Sequence, residues 1–558
     1  IIEHAEFGRN VPDEAMPDED KMNLGKIYHM GKSESADLIL NRQAMASHTF
    51  ITGSTGTGKS NAVYHLLDEI TKNGQTTFLV VEPAKGEYKN VFGNCTDVQV
   101  FGTNPRETPL LRMNPFAFPE NIHILEHIDR LVEIFNACWP MYAAMPAVLK
   151  DAIERSYQKV GWDLRNSESE KGIFPTFFDL LDILPGVIEE SHYSKDTQSD
   201  YVGALCTRVK SLTNGIYGSV LCAEDALSDA EMFDQNVIVD LSRVGSMETK
   251  SLLMGILVMK LQEYRMCSSG MNSRLRHVTV LEEAHNLLRK TSAEQSQEGA
   301  NLQGKSVEML ANAIAEMRTY GEGFIIADQA PGLLDMSVIR NTNTKIILRL
   351  PDEEDRKLVG KSAALKEAQI DELSKLPLGV AAVYQNEWPE AVLCKIEAYP
   401  MPENAVYHKP SKMPHEINAE FVFGQLAVGK ELKPLSSSEM EQLKLWLKRH
   451  ETVLKPEDSR YLERVFAGGE LDVAKTRKAV FDFFGGIGTV VDYCVAAEKS
   501  LTPRKELLEQ LQGQYGLKAA AADWVLNSVI SMGMSLNPDA KAVDNLRTNF
   551  EQQGGRVL

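Results

Sequence analysis

The chain has 558 residues, 43% of them hydrophobic and 25% charged, which is the balance of a soluble globular protein with about three or four domain-sized units. No apolar run approaches the roughly 18–20 residues of a membrane-spanning helix. The first residues contain no basic-then-apolar leader, so we predict neither a membrane anchor nor a secretory signal. The formal net charge of −19 argues against a protein that coats nucleic acid with its outer surface, but it is compatible with a ring whose basic residues line a central hole.

Seven cysteines are scattered singly along the chain, and no two of them form a Cys-x-x-Cys pair. This spacing excludes the usual sequence patterns of a zinc site and of a disulfide framework. Isolated cysteines are typical of proteins in a reducing compartment. We therefore predict a cytoplasmic protein.

The first part of the chain changes from an irregular to a regular pattern. Residues 1–45 are a polar, irregular lead-in with one short strand predicted at Asp37–Leu40. A strand then follows at His48–Thr52, a helix with apolar residues at helical spacing ends near Asn73–Gly74, and a buried strand covers Phe78–Val81. This order of strand, loop, helix and strand predicts the opening of a parallel α/β sheet.

The remaining pattern divides the chain into a core and a C-terminal region. Residues 105–235 have long intervals between strand signals and are predicted to be a helical insertion. Helical segments are predicted at 248–265 and 306–320, and strands return at Val237–Asp240, His277–Leu281, Phe324–Ala327, Thr344–Leu350 and Val380–Tyr384. We predict a core over 46–400 that includes the insertion, a Pro-rich linker over 401–414, and a helical region over 415–558.

A phosphate-binding loop is the strongest motif. The residues GSTGTGKS at Gly53–Ser60 fit the pattern G-x-x-x-x-G-K-[ST] between a predicted strand and an amphipathic helix. The glycines allow backbone N–H groups to point at phosphate oxygens, and the helix adds the positive end of its dipole. We expect Lys59 to reach the β- and γ-phosphates and the Ser60 hydroxyl to hold Mg²⁺. The predicted nucleotide-contacting residues are Gly53, Ser54, Thr55, Gly56, Thr57, Gly58, Lys59, Ser60 and Asn61.

Hydrolysis also requires acidic residues at the end of another strand. Two strands compete for this role, NVIVDLS with Asp240 and HVTVLEEAH with Glu282 and Glu283. The second strand offers two adjacent carboxylates, one for the metal and one to orient or deprotonate the attacking water. We assign Glu282 to the metal and Glu283 to catalysis, and we interpret Asp240 as a structural residue at a strand end.

Two further polar residues have alternative interpretations. In GFIIADQ, Gln329 follows a strand, where it either senses the γ-phosphate or water or is a hydrogen-bonded polar strand end. In EMRTYGEG, Arg318 lies at the end of a helix. It is either an arginine finger that reaches a neighbouring subunit's nucleotide or a cation stabilised by the helix dipole, and the local pattern favours the dipole.

Six stretches in one order indicate a family. They are GSTGTGKS, VVEPAKGEY, VIVDLSRVGSMETK, TVLEEAH, EMRTYGEGFIIADQAP and VIRNTNTKIILRLPDEED. This series, which covers about two-thirds of the chain, resembles the HerA-like branch of the HerA–FtsK superfamily of ring ATPases. The resemblance implies an α/β, RecA-like P-loop core with a mostly parallel sheet. It also implies a homohexamer with ATP and Mg²⁺ between subunits that pumps double-stranded DNA through its centre.

The resemblance assigns a role to single residues as well. Lys59 and Ser60 match the phosphate and Mg²⁺ ligands, and Glu282 and Glu283 match the paired acids. Gln329 matches the sensor amide.

Two more positions follow from the family motifs. Arg318 matches the trans-acting arginine of the R-x-[YF]-G stretch. Glu82 falls where many relatives have Asp, and it joins the predicted nucleotide-binding residues.

The resemblance has two departures. Relatives usually have an N-terminal β-barrel, so residues 1–45 are interpreted as its remnant or truncated end. Residues 415–558 match no motif of the family, and their role stays open.

Three functions remain open at this stage. The first is a DNA-translocating motor that works with a nuclease or an NAD-hydrolase-type effector, as in antiviral defence. The second is a secretion or conjugation motor, which the lack of a predicted membrane anchor disfavours. The third is a ring scaffold whose nucleotide state gates a partner enzyme. Candidate DNA-facing residues are Lys85, Lys89, Arg243, Lys250 and the stretch Arg289–Lys305. For any single one of them the local pattern favours a solvated loop.

Overall fold

A computed structural model describes residues 5–9, 16–142, 144–169, 172–223, 225–291, 297–401, 405–409, 417–428, 432, 434–435 and 437–558. The chain divides into two compact units. The first comprises Ile1–Leu111, Phe118–Ala147 and Ser228–Lys409, and the second comprises Arg112–Ala117, Val148–Leu227 and Pro410–Leu558. Most of the predicted linker over 401–414 lies outside the described residues.

The strands form one large sheet in the first unit and a small hairpin in the second. In chain order they are β1 (Lys21–His29), β2 (Lys32–Asn41), β3 (Thr49–Thr52), β4 (Thr77–Glu82), β5 (Val98–Gly102), β6 (Trp162–Asp163), β7 (Glu168–Ser169), β8 (Asn236–Asp240), β9 (His277–Glu282), β10 (Glu322–Asp328), β11 (Thr344–Ile347), β12 (Val380–Gln385) and β13 (Val392–Ile396). The large sheet has the order β2-β1-β13-β12-β11-β3-β10-β9-β4-β8-β5.

Most of this sheet is parallel. The strands from β11 to β5 run in the same direction, whereas β12, β13, β1 and β2 extend the sheet with antiparallel pairs. Every residue of β8, β9 and β10 is buried, as expected for parallel strands covered on both faces. The predicted α/β fold class is confirmed.

The helices that accompany the sheet belong to the first unit. They are α1 (Lys59–Thr71), α2 (Tyr88–Phe92), α3 (Ile124–Cys138), α9 (Asp229–Phe233), α10 (Met247–Ser268), α11 (Gln297–Glu316), α12 (Met336–Arg340), α13 (Glu353–Ser362) and α14 (Glu367–Glu372). A short turn of 3₁₀-helix, Met317–Tyr320, connects α11 to β10.

The second unit combines most of the predicted insertion with the C-terminal region. Its helices are α4 (Met145–Lys159), α5 (Phe177–Glu190), α6 (Lys195–Tyr201), α7 (Thr207–Thr213), α8 (Gly215–Leu221), α15 (Ala419–Val428), α16 (Ser437–Arg449), α17 (Pro456–Phe466), α18 (Val473–Phe483), α19 (Ile487–Lys499), α20 (Pro503–Tyr515), α21 (Ala519–Leu536) and α22 (Ala540–Gln552). A single π-helical turn, Val202–Cys206, joins α6 to α7.

The composition of the second unit differs from the predicted division at 105–235 and 415–558. Helix α8 packs against α20, although about 280 residues separate them in the chain. Short amphipathic helices cannot bury their apolar faces alone, which is why the insertion helix α8 packs against the C-terminal helix α20. Within the described residues no single helix has the length and hydrophobicity of a membrane span, although the bent pair α18 and α19 passes that test on length and composition.

The lead-in before residue 46 is more regular than predicted, because β1 and β2 form a hairpin that pairs with β13. A register shift around Gly25 interrupts the alternation of buried and exposed residues that normally identifies a strand. Gly25 has φ +150°, and a Cβ there would lie 2.2 Å from the Lys395 carbonyl oxygen. Only glycine fits this bulge.

A buried ionic network stabilises the amino-terminal edge of the parallel strands. The Arg265 Nε donates to Glu322 Oε2 over 2.9 Å, and His277 Nδ1 lies 2.7 Å from Glu322 Oε1. All three side chains are almost fully buried. Burial opposes the charge on Glu322, but His277 and Arg265 outweigh it and lower the pKa of this carboxyl.

We predict that Glu322→Gln destabilises the first unit strongly, because it leaves the buried Arg265 charge without its buried carboxylate. Breaking such a pair costs about 3–5 kcal/mol. The matched control is Glu353→Gln, which removes an ion pair with Lys357 in which both side chains are exposed, and it should change stability little. Thermal unfolding of both variants checks this, and equal unfolding midpoints would contradict it.

Candidate nucleotide-hydrolysis site

The phosphate loop connects the end of β3 to the start of α1. Gly58 has φ +105°, a left-handed conformation that favours glycine, and it directly precedes the first helical residue. Thr57 holds the turn closed, because its hydroxyl donates to the Ser54 carbonyl over 2.7 Å. The Ser54 N–H donates outward to the Arg349 carbonyl at 3.0 Å. The stretch Gly53–Ser60 therefore has the curled form that the motif predicts.

The sheet order brings the predicted acids to this loop. Strand β10 lies between β3 and β9, with Thr52 opposite Asp328 and Ala327 opposite Glu282. The carboxyl ends of parallel strands meet at one edge of a sheet, where ligands bind in open α/β folds. The loop and the Glu282–Glu283 pair consequently face each other across a single strand.

Lys59 forms the centre of the site. Its Nζ lies 3.1 Å from Glu282 Oε2 and 3.0 Å from Glu283 Oε1, and all three side chains are nearly buried. Burial disfavours the Lys59 ammonium, but the two carboxylates outweigh this effect and raise the pKa of Lys59. One ammonium thus contacts two adjacent carboxyl groups.

Tyr88 supports Glu282 from the opposite side. Its hydroxyl donates to Glu282 Oε1 over 2.5 Å, and burial raises the pKa of this phenol well above its usual value. Tyr88 lies in the VVEPAKGEY stretch, but spacing alone does not show that α2 points this side chain at the end of β9.

Glu283 has an unusual backbone and a dense set of contacts. Its φ and ψ of 45° and 52° are left-handed, which is uncommon for a residue other than glycine. The Gln329 amide donates to Glu283 Oε1 over 2.6 Å, and the Thr55 hydroxyl in the phosphate loop donates to Gln329 Oε1 over 2.6 Å. Gln329 therefore bridges the phosphate loop and the predicted catalytic acid.

The residues assigned to Mg²⁺ line one small cavity. Ser60 and Glu282 both border it, together with Lys59, Ala84, Lys85, Glu87, Tyr88, Glu82 and Glu283. Hydroxyl and carboxylate oxygens are the ligand types that Mg²⁺ prefers. The donor set fits the predicted ion.

Glu82 contributes to the same cavity from the end of β4. Its two carboxylate oxygens accept the N–H groups of Glu87 and Tyr88, at 2.8 and 3.1 Å. Burial raises the pKa of Glu82 to about 7 although these hydrogen bonds oppose the shift. Glu82 therefore holds the start of α2, and with it Tyr88, in place.

Asp240 forms its hydrogen bonds with Lys89 and Ser242 rather than with Lys59. It accepts a hydrogen bond from the Lys89 ammonium, and the Ser242 N–H donates to it over 2.9 Å. Burial opposes ionisation of Asp240, yet the Lys89 charge and the Ser242 hydrogen bonds lower the pKa of this carboxyl. These contacts agree with the structural role predicted for Asp240.

Asn61 does not face the phosphates with its side chain. The Asn61 amide donates to the Glu397 carbonyl over 3.0 Å, and the Tyr399 N–H donates to the Asn61 side-chain oxygen over 2.8 Å. This side chain fixes the segment after β13 to α1. Its predicted nucleotide contact is therefore restricted to backbone atoms.

Arg318 lies at the other edge of the sheet. It is exposed in the short turn before β10, whereas Gln329 follows the end of the same strand. Seven residues of strand span about 20 Å. Within one chain Arg318 therefore does not reach the Lys59 site.

Several predicted DNA-facing cations have acidic neighbours. Lys89 pairs with Asp240, Arg243 lies 2.6 Å from Glu107, and Lys85 lies 3.9 Å from Glu87. Residues 292–296 of the stretch Arg289–Lys305 lie outside the described residues, and so do the side chains of 297–301.

Comparison with known proteins agrees with this geometry. Residues 22–336, more than half of the chain, match the family model described as the central domain of the helicase HerA. A probable helicase of Methanocaldococcus jannaschii is 23% identical over 71% of this chain and 76% of its own length. A DNA double-strand break repair helicase HerA of Sulfolobus acidocaldarius is 26% identical over 68% of this chain and 69% of its own length.

The fold also resembles a solved structure. VirB4 of Thermoanaerobacter pseudethanolicus superposes with a TM-score of 0.50 at 17% identity, covering 69% of this chain and 98% of that one. The match to the family model over more than half of the chain, joined to the phosphate loop and its facing acids, leads to one conclusion: the chain belongs to the HerA helicase family and is a P-loop ATPase.

Proposed function

We propose that the protein is an Mg²⁺-dependent, ATP-driven motor that assembles as a homohexamer and moves double-stranded DNA through its ring. The observation that carries this proposal is the Lys59 ammonium shared by Glu282 and Glu283 beside a phosphate loop. DNA as the ligand is supported by the relatives, some of which are named as DNA double-strand break repair helicases. A nuclease or NAD-hydrolase-type partner and an antiviral role rest on the sequence resemblance.

The contacts of Lys59 define what ATP binding must change. Phosphate oxygens compete with Glu282 and Glu283 for one ammonium, so Lys59 turns from the carboxylates to the phosphates. Glu282 and the Ser60 hydroxyl are then free to hold the ion, and Glu283 with Gln329 can orient the attacking water. A bound Mg²⁺ neutralises phosphate charge that develops during transfer.

Assembly into a ring would complete the site. The exposed Arg318 lies at the edge of the sheet opposite to its own phosphate loop. In a head-to-tail ring that edge faces the next subunit's nucleotide, where a guanidinium can stabilise transferring phosphate. This arrangement favours the trans-acting role of Arg318 over a simple helix-dipole role.

DNA binding by an acidic protein requires a concentrated patch of cations. Lys250 lies in the first turn of α10, which follows β8, and Arg289 and Lys290 lie in the segment after β9. A ring would repeat such a patch in every subunit. Lys85, Lys89 and Arg243 have acidic neighbours. We therefore assign the DNA contacts to Lys250, Arg289 and Lys290.

We predict that Lys59→Ala and Glu283→Gln both reduce ATP hydrolysis to a small residual rate, for different reasons. Lys59→Ala removes a phosphate contact, so binding of ATP should weaken. Glu283→Gln removes the carboxylate that acts on water, so ATP should bind and remain uncleaved. Turnover and nucleotide-retention assays separate the two, with Asp240→Asn as the control. Normal turnover in Glu283→Gln combined with its loss in Asp240→Asn would show that the acids are wrongly assigned.

We predict that Arg318→Ala keeps ATP binding and assembly but loses turnover by about 10³–10⁵-fold, the usual effect of removing an arginine finger. Arg274→Ala, which removes an exposed arginine of the same sheet edge, is the matched control and should keep turnover. Mixed rings of Arg318→Ala and Glu283→Gln subunits should regain part of the activity, because one type of interface then has both an intact acid and an intact arginine. The absence of rescue in verified mixed rings would argue against a trans role.

We predict sequence-independent binding to duplex DNA that requires assembly and weakens steeply with salt. Each phosphate contact should contribute about −0.9 to the slope of log affinity against log salt concentration. Titrating labelled duplex at several salt concentrations measures this slope, and Lys250→Ala should reduce it whereas Lys85→Ala should not. A confirmed hexamer that does not bind duplex with an ATP analogue would instead support a nucleotide-gated scaffold.

A further inference from the structure

A histidine next to the catalytic acid has no role in the function proposed so far. His285 lies in the short turn Ala284–Asn286 that follows β9 and Glu283. Its backbone N–H and its ring Nδ1 both lie within hydrogen-bond distance of Asp328 Oδ2, at 2.8 and 2.9 Å. Because an ionised carboxylate only accepts hydrogen bonds, the ring must carry its proton on Nδ1.

Asp328 is a firm anchor for this ring. It ends β10, its side chain is fully buried, and its other oxygen accepts the Ala330 N–H over 3.0 Å. The carboxylate thus joins the turn after β9 to the turn after β10. Both the position of the His285 ring and the proton on Nδ1 are fixed without any contribution from the phosphate loop.

The same ring nitrogen also faces Glu283. His285 Nδ1 lies 3.6 Å from Glu283 Oε2, while Glu283 Oε1 accepts from Lys59 and Gln329. The turn further holds the left-handed backbone of Glu283, because the Asn286 N–H and side-chain amide both donate to the Glu283 carbonyl, over 2.9 and 2.7 Å.

The three neighbours of the Glu283 carboxylate, Lys59, Gln329 and His285, should respond differently to the binding of a nucleotide. Lys59 leaves Glu283 when it turns to the phosphates. Gln329 is tied to Thr55 of the phosphate loop, so its position changes with that loop. His285 is tied to Asp328 instead and keeps its place.

We propose that His285, held by Asp328, is a positioning residue that keeps the Glu283 carboxylate aimed at the attacking water after Lys59 has moved to the phosphates. This role rests on the proposed function of Glu283. In this proposal His285 acts on the reaction through Glu283.

The test compares ATP turnover and ATP affinity in His285→Ala and His285→Asn. An asparagine amide can donate from nearly the position of Nδ1, whereas alanine has no donor. We expect His285→Ala to lower kcat by about 10–100-fold, the usual effect of losing a group that orients a functional side chain, with little change in ATP affinity. His285→Asn should recover most of this loss. The control is His127→Asn, which changes a histidine–carboxylate pair with Glu263 elsewhere in the first unit.

A double variant separates this proposal from the assignment of Glu283. In a Glu283→Gln background, adding His285→Ala should lower the residual turnover no further, because both changes remove one function. An additive loss, an equal fall in ATP affinity, or an Asn variant no better than Ala would overturn the role of His285. Full turnover in Glu283→Gln alone would instead overturn the assignment of Glu283.

If His285→Ala does not fold, His285→Asn and His285→Gln decide the question. Both keep a polar side chain, but glutamine places its amide near the position of Nε2 rather than Nδ1. Higher turnover in the Asn variant supports the proposal, and equal turnover contradicts it.

Discussion

One buried positive charge organises the hydrolysis site. Glu282 and Glu283 place two neighbouring carboxyl groups in a nearly buried position, and the Lys59 ammonium contacts both. The same ammonium is the group that a nucleotide's phosphates attract, so in the proposed mechanism ATP competes with the two acids for Lys59.

This arrangement depends on the order of strands as much as on the residues. Lys59 bridges to Glu282 because a single strand, β10, separates β3 from β9. That strand also supplies Asp328 and Gln329, which fix the turns around Glu283. A different strand order would keep every motif in the chain and still separate the loop from its acids.

The site was largely predictable from the sequence because its main parts are contiguous. The phosphate loop, the paired acids and Gln329 each follow a short apolar strand, and parallel strands bring such ends together. The contacts of Tyr88 with Glu282 and of His285 with Asp328 could not be predicted, because each joins elements far apart in the chain. Asn61 belongs to the predicted nucleotide-contacting residues, whereas its side chain binds the segment after β13.

The fold was less predictable where a strand is interrupted by a bulge or where a unit is built from separate parts of the chain. The bulge at Gly25 interrupts the alternation of buried and exposed residues in β1. The sequence pattern therefore does not predict this strand in the lead-in. The second unit is assembled from distant parts of the chain. The apolar periodicity of a helix identifies its buried face but not the element that packs against that face. No local pattern shows that residues 148–227 and residues 410–558 form one compact unit.

Strand β10 gives the molecule a mechanical property. Arg318 stands just before its first residue and Gln329 just after its last. Hydrogen bonds to β3 and β9 on both sides make the strand stiff along its length. In the proposed ring, a subunit would therefore contact its own ATP at one end of β10 and its neighbour's ATP at the other end. A displacement of one end of the strand would displace the other end. Coupling between the ATP sites of neighbouring subunits would then not require a flexible segment.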